Sequence, residues 1–130
     1  MLTTSRVATA PFSAVLPAKD IKRARDFWER VVGVEMSDMP APGYLMGKAG
    51  KGTQVLIYET PLAPTEATTA AFIVDDLDAV MTELRQRGLT FLEYDMPGLK
   101  TVNGVVEMGE MGRGAWFKDS EGNTINLAQM

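Results

Sequence analysis

Residues 115–129 constrain the fold more than any other stretch of the chain, because they predict a β-hairpin. Two runs of β-prone residues flank residues 119–123, which are polar and contain a glycine. Gly122 can take the left-handed conformation that a type I turn with a G1 bulge requires. The segment is therefore expected to form two antiparallel strands joined by a tight turn.

An earlier part of the chain repeats half of this hairpin. Residues 52–58 match residues 122–128, with a glycine leading each segment. The apolar positions also coincide, with Val55 at the place of Ile125 and Ile57 at the place of Leu127. The match indicates an internal repeat, so two copies of one structural unit are expected.

Two predicted helices show the same repeat. Asp20 suits the N-cap of a helix that runs to Val32 and ends at Gly33, and Asp76 suits the N-cap of a second helix that ends at Gly88. Each helix carries an apolar stripe that is expected to face the core. When the caps are aligned, the stripes superpose: Ile21 on Leu77, Ala24 on Val80, and Trp28 on Leu84.

The order of predicted elements defines an α+β domain made of two βαβββ units. Before the hairpin, the predicted strands span residues 11–17, 34–37, 44–47, 53–59, 68–74 and 90–95. The first unit covers about residues 11–60, a proline-containing linker covers residues 61–67, and the second unit covers about residues 68–130. Residues 105–111 are either an extra extended segment or part of a mobile cover. Residues 1–10 are expected to be a loose arm.

Composition excludes several functional classes. The chain has no cysteine and no histidine, which removes thiol nucleophiles, imidazole bases and the usual ligands of zinc, copper and non-haem iron. A net charge of -4 without a basic stripe argues against nucleic acid or a membrane surface as a partner. There is no apolar run of membrane-spanning length and no apolar export signal, so a cytoplasmic protein is expected.

Three places in the chain resemble a known family. They are residues 16–21 with Ala24, Phe27, Trp28 and Gly33, then residues 74–79, then residues 116–123. Together they are similar to the glyoxalase/bleomycin-resistance/dioxygenase group, the vicinal-oxygen-chelate (VOC) superfamily, over nearly the whole chain. The resemblance implies two βαβββ modules whose curved sheets form a cup, with the helices on the convex side. It also implies a homodimer.

The resemblance further implies where a metal would be held. In metal-dependent relatives the ligands come from the first and last strands of each module, at positions that hold Ser13, Leu56, Thr69 and Asn126 here. None of these side chains is ionised near neutral pH, and such a donor set does not offset the desolvation of a divalent cation. The family's metal is therefore expected to be lost, and no cofactor is expected.

Period-2 alternation assigns the two faces of the predicted strands. The face expected to point into the cup carries Ser13, Val15, Leu56, Tyr58, Thr69, Ala71, Ile73, Thr124, Asn126 and Ala128. The face expected to meet the helices carries Ala14, Leu16, Val55, Ile57, Ala70, Phe72, Val74, Ile125 and Leu127. Small and apolar residues with a few hydroxyl and amide groups are typical of a small-molecule pocket. The alternative is a cup that packs shut on these side chains.

Methionine and tryptophan leave two further alternatives open. The methionines predicted to rim the cup are Met36, Met39, Met46, Met96, Met108 and Met111. They suit a loosely specified apolar ligand, with Met46 included in the predicted site, or they are ordinary core fillers. Trp116 either stacks on a planar ligand in the site or lies on the helix side of its strand.

Two functional hypotheses follow. The first is a module that binds or sequesters a small apolar or aromatic molecule, as in the antibiotic-resistance branch of the family. The second is an enzyme of unknown substrate, of the lyase, isomerase, hydrolase or dioxygenase-like kind. A metal-free enzyme would need acidic or phenolic groups near the mouth of the cup: Glu59, Glu93, Tyr94, Asp95, Glu107 and Asp119. Residues 93–95 are the best of these, on the expectation that burial raises a carboxylate pKa, whereas Asp119 is expected to support its turn.

Overall fold

A computed structural model describes residues 3–130, in which two four-stranded sheets, a two-stranded ribbon and two α-helices are formed. The elements are β1 (Ala14–Ala18), α1 (Ile21–Phe27), β2 (Met36–Asp38), β3 (Tyr44–Lys48), β4 (Gln54–Glu59), β5 (Thr68–Ile73), α2 (Leu77–Gln86), β6 (Asp95–Met96), β7 (Leu99–Lys100), β8 (Val106–Glu107), β9 (Arg113–Lys118) and β10 (Thr124–Gln129). A π-helical segment, Trp28–Val32, extends α1. None of the helices in this part of the chain is long and apolar enough to cross a membrane.

The two four-stranded sheets have the same topology. Their strand orders are β1-β4-β3-β2 and β5-β10-β9-β8. In each sheet the first and last strands of the module pair in parallel, and the other neighbours are antiparallel. The edge strands β1 and β5 contact each other, and the curved sheets do not close. The predicted α+β architecture of two βαβββ modules is confirmed.

The prediction of a strand over residues 90–95 is wrong. In the second sheet β8 takes the place that β2 has in the first, and it pairs with β9. Only one backbone bond joins residues 90–94 to β9, from the Leu92 N–H to the Trp116 carbonyl at 2.8 Å. The Tyr94 N–H instead donates to the Thr101 hydroxyl at 2.8 Å, and the Thr101 N–H donates to the Tyr94 carbonyl. The segment is therefore paired with the following loop, where β6 and β7 form the ribbon.

Both helices begin and end at the predicted residues. The Asp20 carboxylate accepts the Lys22 and Arg23 N–H groups at 3.1 Å, and the Asp76 carboxylate accepts the Ala79 N–H at 3.1 Å. Gly33, where the first helix ends, has a φ of 84°. A residue with a side chain is disfavoured in this left-handed conformation, which explains why a glycine stands there.

A single apolar core is shared by the two modules. The strand residues predicted to meet the helices are all buried or packed against this core, as the alternation predicts. Trp28 is 1% exposed, and its ring lies 6.1 Å from the ring of Phe72 in the other module. Met36, predicted at the rim of the cup, is 2% exposed and belongs to the core. It fills the space that a side chain at Gly47 would need.

The turn at residues 119–123 joins the second module to the first. Gly122 has a φ of 88°, which confirms the predicted hairpin turn. The Asp119 carboxylate accepts the N–H groups of Glu121 and Asn123, and it also accepts the indole N–H of Trp28 at 3.2 Å. The Asn123 amide donates to the Pro17 carbonyl at 2.9 Å. The turn is thus tied to both β1 and the first helix, and the structural role predicted for Asp119 is confirmed.

Glu121 forms the strongest polar contact between the modules. Its side chain is 1% exposed, and it accepts the N–H groups of Lys19 and Asp20 at 2.9 Å. The Arg23 guanidinium donates two further hydrogen bonds, at 2.7 and 3.0 Å, and the Ser120 hydroxyl donates another. Burial raises the pKa of this carboxyl, but the hydrogen bonds from Arg23, Asp20 and Ser120 outweigh burial and lower the pKa to about 2.

Replacing Glu121 should therefore weaken the junction and change the acid stability. We expect Glu121→Gln to lower the free energy of unfolding at pH 7 by about 1.5–3 kcal/mol, the range for hydrogen bonds to charged groups. Because the folded-state pKa is depressed, the carboxylate's contribution is present above the unfolded value of about 4.3 and is lost as the pH falls toward 2. Urea unfolding at pH 7 and pH 3 measures both effects.

The matched control is Glu66→Gln. Glu66 is 92% exposed where it pairs with Lys118, so its loss should change stability by at most about 0.5 kcal/mol. Equal losses in the two variants, or an unaltered acid dependence in Glu121→Gln, would contradict the interpretation.

Candidate functional site

Each four-stranded sheet has one face that no helix covers, which we call its open face. The first open face is formed by Val15, Tyr44, Met46, Leu56 and Tyr58. Val15 and Met46 both stand opposite Leu56, and Tyr44 stands opposite Tyr58. Val15 is 52% exposed and Tyr44 is 45% exposed. The rings of Tyr44 and Tyr58 stack at 6.4 Å with an angle of 19° between their planes.

The second open face belongs to the sheet of the second module. It is formed by Thr69, Ala71, Ile73, Trp116, Asn126 and Ala128. Asn126 stands between Ala71 on β5 and Trp116 on β9. Ile73 is 64% exposed. The open faces therefore do not pack shut within one chain.

Trp116 lies on the open face rather than on the helix side of β9. Its neighbours Ala115 and Phe117 are both 0% exposed and belong to the core. The Trp116 indole donates to the Thr68 hydroxyl at 3.0 Å. The ring of Tyr94 meets the Trp116 ring edge-on, with centroids 5.4 Å apart. An aromatic pair is thus present on each open face.

Two of the predicted cup residues differ from expectation. Thr124 is 1% exposed, and its hydroxyl has no hydrogen-bond partner, so it does not face an open site. The irregular pairing between β5 and β10 falls at this residue and breaks the simple alternation. Ser13 is half-buried but precedes β1, because the first strand begins only at Ala14.

The four positions inherited from metal-dependent relatives do not fit a divalent metal. Ser13 and Thr69 offer hydroxyl groups, and Leu56 offers only hydrocarbon. The Asn126 amide donates to the Ala115 carbonyl at 3.1 Å. No carboxylate stands at any of these positions to offset the charge of the ion. Within residues 3–130, no group of three or more His, Cys, Asp or Glu residues could hold a metal ion.

Three of the candidate catalytic carboxylates are held by structural partners. Glu59 accepts the Ile21 N–H at 3.1 Å, beside the start of α1. Glu107 accepts the Arg113 guanidinium at 3.0 Å. Asp119 is buried in the turn. The oxygens of these carboxylates already accept hydrogen bonds from the protein. They are therefore poorly placed to accept a proton from a substrate as general bases.

The expectation that Glu93 has a raised pKa is wrong. Glu93 is an exposed residue whose carboxylate accepts the Thr101 hydroxyl at 2.6 Å and the Gly104 N–H at 2.9 Å. The hydrogen bond from Thr101 is the largest cause of a lowered pKa, followed by the Gly104 N–H, and the charge of Arg85 acts in the same direction. Glu93 therefore serves to fix the loop over residues 101–104.

Two further cavities are present, of which the smaller includes one open-face residue, Ile73, and sequence reasoning missed both. One of about 570 Å³ lies between α2 and residues 100–107. The other, of about 180 Å³, is apolar and lies between the end of the first helix, β5 and α2. The helical spacing of Asp78, Met81, Thr82 and Arg85 was the available signal for the larger cavity, because it puts these residues on one face of α2.

Comparison with known families agrees with this geometry. The family model described as Glyoxalase/Bleomycin resistance protein/Dioxygenase superfamily matches residues 10–127. The chain belongs to this superfamily. No curated protein sequence matches it.

Solved structures share the fold over almost their whole length. TnmS3, an antibiotic binding protein from Streptomyces sp. CB03234, is 26% identical, with coverage of 93% of this chain and 97% of that chain and a TM-score of 0.68. A glyoxalase/bleomycin resistance protein from the same organism is also 26% identical, with coverage of 91% and 100% and a TM-score of 0.64. Lactoylglutathione lyase from Agrobacterium tumefaciens is 16% identical, with coverage of 93% for both chains and a TM-score of 0.68, and is similar in fold alone.

The role assigned to Glu93 can be tested by its titration. We expect the Glu93 carboxyl to titrate below the ordinary glutamate pKa of about 4.3, because Thr101 and Gly104 donate to its charged form. Carbon-detected NMR across pH 2–8, with signals assigned by a Glu93→Gln variant, measures this. A Glu93 pKa near 6 or 7 would restore the general-base interpretation.

Proposed function

We propose that this protein binds a small, planar, mainly apolar molecule on its open faces, without the metal of its enzymatic relatives. The observation that carries the proposal is the chemistry of these faces. Aromatic and aliphatic side chains, including Val15, Tyr44 and Ile73, are left exposed on the sheet faces opposite those that pack on the core. Exposed apolar groups that lie together, rather than singly, mark a binding surface.

The aromatic pairs favour a planar ligand. A ring system laid on Tyr44 and Tyr58, or on Trp116, gains about 0.5–1.5 kcal/mol per aromatic contact beyond the burial of area. Burial itself contributes about 25 cal/mol per Å² of apolar surface. Polar groups on the faces are few, chiefly the hydroxyls of Tyr44, Tyr58 and Thr69 and the Asn126 amide. The ligand is thus expected to carry few hydrogen-bonding groups.

The relatives support binding over catalysis. TnmS3 is named as an antibiotic binding protein and is 26% identical to this chain, whereas the 16% identity to lactoylglutathione lyase supports the fold only. A metal-free enzyme is also disfavoured, because the candidate carboxylates are hydrogen-bonded within the protein, namely Glu59, Glu93, Glu107 and Asp119. A cytoplasmic location stays a prediction.

We further propose that two copies associate through the open faces. A single chain leaves Val15 and Ile73 in water, and covering such residues favours association. A ligand held between the two copies would be contacted by aromatic pairs from both.

Light scattering at micromolar concentration should give about twice the chain mass of 14.2 kDa. Val15→Asp should shift the mass toward that of a single chain, because it would bury an unpaired charge. Leu62→Asp, at a position 67% exposed in the linker, should not. A mass near 14.2 kDa at all concentrations would contradict the dimer. A Val15→Asp variant that stays dimeric would contradict association through the open faces.

Ligand binding can be tested with a panel of neutral polycyclic aromatic compounds. We expect micromolar or tighter binding by calorimetry, with a change in tryptophan fluorescence that Trp116→Phe removes, since Trp28 is buried. Ala71→Trp should abolish binding by filling the second open face beside Asn126. Ala71 is exposed, so this change should alter stability by at most about 0.5 kcal/mol.

The matched control is Ala79→Trp, at an exposed position on α2, which should bind as well as the unaltered protein. Unchanged affinity in folded Ala71→Trp would show that the ligand sits elsewhere. Elemental analysis of the same protein, prepared without chelator, tests the metal. About one zinc, nickel, iron or manganese per chain, together with turnover that its removal abolishes, would favour the enzyme hypothesis.

A further inference from the structure

The cavity beside α2 is separate from the open faces. Its α2 wall consists of Asp78, Met81, Thr82 and Arg85, and its opposite wall consists of Lys100, Val102, Asn103, Val105, Glu107 and Arg113. On β9, Arg113 lies on the same face as the buried residues Ala115 and Phe117, because side chains two residues apart in a strand point to the same side. It is therefore on the helix side of the sheet, opposite Trp116. A volume of about 570 Å³ is in the range that small ligands occupy.

Both carboxylates in the cavity wall are paired with one arginine. Arg113 donates two hydrogen bonds to Asp78, both at 3.1 Å, and one to Glu107 at 3.0 Å. Each nitrogen of the guanidinium takes part in one of these bonds. Arg113 and the two acids therefore already have partners of opposite charge.

Arg85 and Lys100, in contrast, keep unused donors. Within residues 3–130 the Arg85 guanidinium makes one hydrogen bond, from Nη2 to the Asn103 carbonyl at 3.0 Å, and it lies 5.1 Å above the Phe91 ring. Lys100 is exposed and stands opposite Asp95 in the ribbon, and within residues 3–130 it forms no salt bridge. Glu93 acts on Arg85 electrostatically, but its carboxylate is held by the loop. Free N–H groups on two cationic side chains are thus left on this side of the cavity.

Three apolar residues also line the cavity, beside Thr82 and Asn103. Met81 is 1% exposed, Val105 is half-buried and Val102 is 68% exposed. The loop closes onto the Met81 and Arg85 side chains at Gly104, whose φ is 82° and where an added Cβ would lie 3.2 Å from Met81 Cε. An apolar surface therefore stands next to two available cations.

We propose that this cavity binds a small amphipathic organic anion, a carboxylate carried on a short aliphatic body. The carboxylate would be held by Arg85 and Lys100, and the aliphatic body would cover Val102 and Val105. No inherited position of the superfamily falls in this cavity. The site lies across the sheet from the open faces, so the proposal does not depend on the proposed function.

Octanoate, 1-octanol and octylammonium share one aliphatic body and differ in charge, so they are the probes. Each is titrated into ¹⁵N-labelled protein, and amide shifts are followed by NMR. Octanoate should cause saturable shifts in residues 81–85 and 100–107. The alcohol and the cation should bind there about tenfold more weakly or not at all, because the unused donors select an anion.

Variants identify the groups that select the anion. Arg85→Gln with Lys100→Gln should weaken octanoate binding at least about tenfold, and Lys22→Gln with Lys48→Gln, of equal net charge, should leave it unchanged. Lys100→Gln alone changes an exposed residue without altering the packing over Phe91, so it gives a second reading if the double variant unfolds. It should weaken binding severalfold.

Three results would overturn the proposal. The first is equal binding of octanoate and octanol at these residues. The second is unchanged octanoate affinity in folded Lys100→Gln. The third is an octanoate response confined to the open faces, at Trp116 and Asn126, with no shifts beside α2.

Discussion

The buried carboxylates of the turn at residues 119–123 set the relation between the two modules. A buried carboxylate is unfavourable unless its oxygens are well hydrogen-bonded. Most of the partners of Glu121 belong to the first module, namely the backbone at Lys19 and Asp20 and the Arg23 guanidinium. Asp119 likewise reaches Trp28. The carboxylates of the turn thus have these hydrogen-bond partners only when the two modules are docked. Formation of the shared core and the relative placement of the two sheets therefore depend on each other.

Local signals in the sequence predicted most of the fold. The helix caps at Asp20 and Asp76, the turn at Gly122 and the helix-facing strand residues depend on neighbours close in sequence or on strict alternation, and all are confirmed. The prediction of a strand over residues 90–95 failed because Thr101, in a later loop, supplies hydrogen bonds to this segment. No pattern within residues 90–95 indicates that partner. Burial of Met36 depends on Gly47 across the β2–β3 pairing, which alternation along one strand does not reveal.

The same limit applies to the candidate site. Alternation placed most of the strand residues on the correct face, but it failed at Thr124 and left the side of Trp116 open. It did not predict the aromatic pairs, because each pair joins different strands or a strand and a loop. Tyr44 meets Tyr58 through the β3–β4 pairing, and Tyr94 reaches Trp116 from the irregular segment before the ribbon. The pairs place aromatic rings in a defined arrangement on each face, where the sequence suggested only a set of small and apolar residues.

Glu93 links the two regions of the second module. The residue favoured from sequence as a base instead fixes the loop through Thr101 and Gly104, and the outer side of that loop forms one wall of the cavity beside α2. Next to it, Tyr94 packs on Trp116 at the open face. Adjacent residues therefore support a neutral aromatic surface and a charged cavity on opposite sides of one sheet. Because these environments differ in charge and polarity, the ligands proposed for them are of different chemical classes, and occupation of one need not exclude the other.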